Sequence, residues 1–176
     1  MSRVKMRKRE ETVLLTLLVL GSIYAGVYWV YPHFDGVPDH PERLVFKLRY
    51  GVGAKNILDS ENGTYTKDMI LDPAITINLV LSERELDLIW KSIIDNDFYN
   101  LTDQNAARAS SVSPVYDYTL TVSADGYPEK TVRMADIWQG YTEDELRFFR
   151  ITRTILDIVE SKPVYKALPK PRGGYA

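Results

Sequence analysis

The stretch AITINLVLSERELDLIWKSIIDND, Ala74 to Asp97, holds the end of a strand and the start of a helix side by side. Ile75, Ile77, Leu79 and Leu81 recur every second residue, the period of a half-buried strand. Ser82 and Glu85 then form a capping-box pattern, in which the two residues satisfy amide groups that the first turn of a helix leaves without partners. Beyond it Leu86, Ile89, Trp90, Ile93 and Ile94 fall at helical spacing, with Glu83, Asp87 and Lys91 on the opposite side. The pattern predicts a helix from about Glu83 to Asn96 lying on a sheet.

Upstream, LVFKLRY places Leu44, Phe46, Leu48 and Tyr50 on one face and Lys47 and Arg49 on the other. GVGAKNILDSENG reads as a turn-rich connection and TYTKDMI as a second strand. Downstream, YDYTLTVSADGYPEKTVRMA is a hairpin: Tyr116, Tyr118, Leu120 and Val122 alternate with polar residues, ADGYP turns, and Val132 and Met134 resume the apolar face. Thr142 and Glu145 form a second capping box, opening a helix to about Ser161 whose apolar side includes Phe148, Phe149, Ile151, Ile155, Leu156, Ile158 and Val159. Strands followed by a helix, twice, predict a two-layer α+β domain. Its sheet is mainly antiparallel, with about five strands in the order β-β-β-α-β-β-α and two helices on one face.

The same reading places one helix outside the domain. Thr12 to Tyr31 is free of charged side chains and as a helix would be roughly 30 Å long, the thickness of the hydrocarbon layer. The apolar region of a cleavable signal is shorter, about 7–15 residues, and ends in small residues. Here Ile23 occupies a position, two before Ala25, where cleavage wants a small side chain. Tyr24, Tyr28, Trp29 and Tyr31 cluster at the far end, where amphipathic rings favour the headgroup layer. Arg3, Lys5, Arg7, Lys8 and Arg9 precede the span, so the positive-inside rule leaves the N-terminus cytoplasmic. The chain therefore divides into a cytoplasmic basic segment (1–11), a signal anchor through the bilayer (12–31), a Pro-rich linker (32–43), an extracytoplasmic α+β domain (44–161) and an extended Pro/Gly tail (162–176).

Composition narrows the chemistry. The chain of 176 residues contains no cysteine, which excludes disulfides, thiolate metal sites and thiol nucleophiles. After the basic start, 17 basic residues stand against 22 acidic ones. Such a body lacks the positive face that nucleic-acid binding requires.

Four clusters invite a chemical reading. His33 and His40, with Asp35 and Asp39, are ligand types for a transition metal, but a Pro-rich linker is a poor frame for them. Asp95, Asp97 and Asp103 suggest a hard cation but lack the glycine and distal glutamate of an EF-hand. Asp59, Glu61, Asp68 and Asp72 are the carboxylates from which a glycan hydrolase would be built. Arg147, Arg150 and Arg153 line one side of the second helix, a face for an anion or an acidic partner, with Asp157 a turn beyond Arg153. Asn62 and Asn100 head NGT and NLT glycosylation sequons. No catalytic residue, metal ligand or cofactor site is assigned.

NGTYTKDMILDP, LSERELDLIW and ESKPVYKALPKPRGGY, taken in order, resemble a family of archaeal and bacterial envelope proteins held at the membrane by an N-terminal helix or a lipoprotein signal. The resemblance implies an envelope location and no particular activity. Without the cysteine of lipid-anchored relatives, anchoring would rest on the helix alone. The expected function is a plasma-membrane-anchored, extracytoplasmic interaction or ligand-binding module, whose partners are the bilayer and other envelope or membrane proteins. The alternatives are an accessory subunit of a membrane complex and a carboxylate-dependent glycan hydrolase.

Overall fold

The computed structural model describes residues 40–103, 115–136 and 140–175. The expected span at 12–31, most of the linker and residues 104–114, 137–139 and 176 lie outside the described residues. Among the described residues no helix is long and apolar enough to cross a membrane.

Six strands form one antiparallel sheet: β1 (Leu44–Val52), β2 (Asn56–Asp59), β3 (Thr64–Met69), β4 (Asp72–Asn78), β5 (Tyr116–Ala124) and β6 (Lys130–Asp136). Their spatial order is β4-β3-β2-β1-β5-β6. Among the described residues three helices accompany them: α1 (Glu83–Asp95), α2 (Glu143–Ser161) and the single turn α3 (Pro163–Lys166). The α+β class holds, but the strand count is six rather than about five.

The additional strand, β2, lies in the segment that reads as a turn-rich connection. Four residues are too short to show a period. β2 pairs with β1 and β3 through its backbone, and the Asn56 side chain, which donates to the Tyr50 carbonyl and accepts from the Asp68 amide, ties the strand further to both. Gly51 permits this approach: its φ is +92°, and a Cβ there would stand 2.7 Å from Asn56 Nδ2.

The register explains the layers. Leu44 faces Ala124, Phe46 faces Val122, Leu48 faces Leu120, and Leu58 faces both Leu48 and Tyr65. All these side chains share one face, and they cluster with Ile89, Trp90 and Ile93 of α1 and Phe148, Ile151, Ile155 and Val159 of α2. Burying each such side chain is worth about 1.5–3 kcal/mol against leaving it in water. Ile94, expected on the sheet, is 37% exposed. The opposite face of the sheet is polar, with Lys47, Arg49 and Arg133 exposed and hydroxyl pairs Thr66–Thr76 and Thr121–Thr131 at 2.8 and 2.9 Å.

Both capping boxes form as residue spacing predicts. Ser82 N and Oγ donate to the Glu85 carboxylate, and Thr142 N and Glu145 N exchange hydrogen bonds with each other's side chains. Lys162 Nζ reaches back to Glu85 at 2.5 Å and to the Val80 carbonyl at 3.2 Å, joining the end of α2 to the start of α1.

The tail departs from the extended course expected of it. Pro163 stands in the first turn of α3, where its missing N–H costs nothing, and Lys162 both caps the end of α2 and begins the next helical turn. Beyond it Arg172 forms a parallel bridge with Ile70 and a bidentate pair with Asp72, while Tyr175 donates to Asp68. Ile70, in the turn between β3 and β4, has φ +64°, an outlier for a β-branched residue.

Candidate functional site

A groove of about 620 Å³ runs beside α2, at the end of the sheet where β5 begins and β6 finishes. The period of the α2 helix brings Phe149, Arg150 and Arg153 to its rim. The β5–β6 register places Tyr118 opposite Met134, two residues before Asp136, and so supplies the strand wall. Tyr141, just before the α2 cap, closes one end and donates its hydroxyl to Asp136 Oδ1 at 2.5 Å. Phe149 meets Tyr118 and Tyr141 edge-on, each with ring centroids 5.4 Å apart.

Charges of both signs reach the Tyr118 hydroxyl. Burial raises its pKa first, the Asp136 carboxylate and Tyr116 add to the rise, and the Arg153 guanidinium offsets part of it. Arg150 and Arg153 are exposed cations: Arg150 stands 3.6 Å from Glu143 and Arg153 2.7 Å from Asp157, all four side chains being more than half exposed. Such pairs are worth roughly 0–1 kcal/mol and exchange readily.

Arg147 does not belong with them. Its guanidinium pairs with Asp144 at 2.5 Å and Asp97 at 3.1 Å, bracing α2 against the turn after α1, and its side chain is only 24% exposed. The arginine-lined side of α2 is therefore two residues wide at the groove, and the third arginine is a structural strut. Asp97 is drawn into the same strut and Asp103 pairs with Arg133, so neither is part of a cation loop.

The other clusters are also accounted for by folding contacts. Among the described residues no group of three or more His, Asp and Glu side chains could hold a metal. His33, Asp35 and Asp39 lie outside them. His40 places Nδ1 2.7 Å from the Pro41 carbonyl and Nε2 2.8 Å from Glu83, and its backbone amide donates to Asp87. Burial alone would lower the His40 pKa, but the Pro41 hydrogen bond, the Glu83 carboxylate and the charge of Asp87 together raise it. Two acceptors around one ring suit the imidazolium, since a neutral ring has one N–H to offer.

Asp59, Asp68 and Asp72 are each occupied. Burial opposes ionisation of Asp59, but Lys47 at 2.7 Å and both Asn62 donors outweigh it and hold the carboxyl at about 2. Burial likewise opposes ionisation of Asp68 and is outweighed by Tyr175 and the Ile70 amide, while Arg172 lowers Asp72. A glycosidase acid needs a carboxyl raised towards neutrality, the reverse of all three. Asn62 and Asn100 are both exposed, each with its side-chain amide donating to a neighbouring aspartate, Asp59 and Asp97 respectively.

The tyrosines and Asp136 of the groove carry no motif. The legible signal was the aromatic next to Arg150 and one turn from Arg153; their strand partners come from far along the chain. Comparison with family models, with curated proteins and with solved structures finds no match.

Proposed function

We propose that this chain is a membrane-anchored interaction or ligand-binding module, held in the plasma membrane by residues 12–31 with its N-terminus cytoplasmic and its body outside. The groove beside α2 is its binding surface. The observation that carries the binding reading is the combination of a concave site of about 620 Å³ with an aromatic wall and two guanidinium groups in solvent-exposed ion pairs. Small-molecule sites have this size and this mixture of apolar lining with a few convergent polar groups. Anchor and orientation rest on the uncharged span and its basic N-terminal flank.

The test uses the full-length chain in intact cells, with a photocrosslinking residue in place of Thr154 on the groove. External protease digesting the body before lysis, with crosslinks to an envelope component or ligand, is the expected result. A body digested only after cells are opened would overturn the orientation. A second reading, an accessory subunit of a membrane complex, is favoured by Gly21 and Ser22 with Ala25 and Gly26 one turn on, small residues at helix-packing spacing. Exchange of the span for an unrelated apolar helix abolishes function only under that reading.

A further inference from the structure

Taking the groove as the binding site, we infer that its ligand is a small molecule carrying an oxyanion, a carboxylate or a phosphate, on a flat apolar body. Arg150 and Arg153 line the groove, whereas their partners Glu143 and Asp157 do not. An incoming oxyanion can replace those carboxylates at little cost, because both pairs are exposed to water. Planar guanidinium groups take carboxylate and phosphate in a two-point fork, and residues three apart on a helix stand about 4.5 Å apart along its axis. One oxyanion can thus engage both.

The acidic group of the groove fixes the orientation. Asp136 stands at the end of β6 and already accepts the Tyr141 hydroxyl. Repulsion from it directs an anion towards the arginine rim and leaves the part of the groove beside Tyr141 to an uncharged moiety. The walls there are rings: Phe149 in edge contact with both Tyr118 and Tyr141. A planar apolar body meets them with the offset or edge geometry that aromatic pairs favour. A nucleic-acid backbone is a poorer fit, since two cations do not make a track for successive phosphates and the body is acidic overall.

The test is a titration of the isotope-labelled full-length chain in detergent micelles, following backbone amide shifts with three probes: phenyl phosphate, benzyl alcohol and inorganic phosphate. Phenyl phosphate is expected to shift the amides of Tyr118 and residues 149–154 saturably, each of the other probes binding at least about tenfold more weakly. Arg150→Ala with Arg153→Ala should weaken phenyl phosphate by about tenfold or more, with an unchanged melting temperature. Benzyl alcohol binding as well as phenyl phosphate, with the double variant unaffected, would overturn the oxyanion and leave the groove as a binding site. Inorganic phosphate binding as tightly as phenyl phosphate would overturn the apolar body. If no probe moves the groove amides at millimolar concentration the inference fails, while the crosslinking from position 154 decides separately whether the groove binds a partner at all.

Discussion

Lys130→Met tests the packing logic of the domain at one inward-facing cation. The register sets Lys130 opposite Val122, on the face that carries Leu120, Val132 and Met134. Its ammonium donates to the carbonyls of Tyr99 and Leu101, both at 2.7 Å, at the end of the short 3-10 turn Phe98–Asn100. Those carbonyls have no helical partner, and the turn they terminate buries Phe98 and Leu101 in the core. Methionine retains the apolar stem and removes both donors. A hydrogen bond to a charged group contributes about 1.5–3 kcal/mol; since Lys130 is half-buried and water can reach part of the gap, the pair should be worth about 2 kcal/mol. For a domain of this size that lowers Tm by about 6 °C. Urea unfolding followed by circular dichroism should show the midpoint falling at constant m-value. Lys91→Met, which removes only an exposed pair with Asp95, should cost less than about 0.5 kcal/mol. Equal stability of Lys130→Met and the parent protein would refute the assignment of the lysine as the clasp of this turn.

Three further outcomes follow from charges already placed. Asp59 has a folded-state pKa held at about 2, so its contribution is complete above the ordinary carboxylate range and disappears as pH falls towards 2; with Lys47 51% exposed, it should be about 1 kcal/mol, and Asp59→Asn should flatten acid unfolding by that amount. His40, whose pKa is raised, stabilises the domain below about pH 6.5 and ceases to as pH rises through its folded-state value; His40→Gln should remove a difference of about 0.5 kcal/mol between about pH 5.5 and about pH 8.5 in chemical denaturation. Arg147→Ala should destabilise by about 1–2 kcal/mol in the same assay, whereas Arg153→Ala should stay within about 0.5 kcal/mol, separating the strut from the groove cation.

How much of this was legible depends on how local the cause is. The helix from Glu83 is encoded within fourteen residues by Ser82, Glu85 and the recurrence of Ile89 and Ile93, and it appears with its boundary within one residue of expectation. β2 is held by pairing with β1 and β3, supplemented by the Asn56 side chain, and no periodicity announces it. Pro163 reads as a breaker because the same property that stops one helix allows another to start. Asp68 and Asp72 look available until residues a hundred or more positions away, Tyr175 and Arg172, come to rest on them. The groove has the same character: Arg150 and Arg153 could be noticed on their helix, but Tyr118 and Asp136 join them only once β5 and β6 are paired.

β1 occupies the interior of the sheet, with β2 on one side and β5 on the other, and the residues of β5 that it pairs with lie more than 60 positions further along. During refolding the first four strands can zip up by short hairpins, while the LVFKLRY rim waits bare for a partner delivered by a long loop closure. A bare central strand is where two chains are prone to pair by mistake, so dilution should raise the yield of refolding more than added time does.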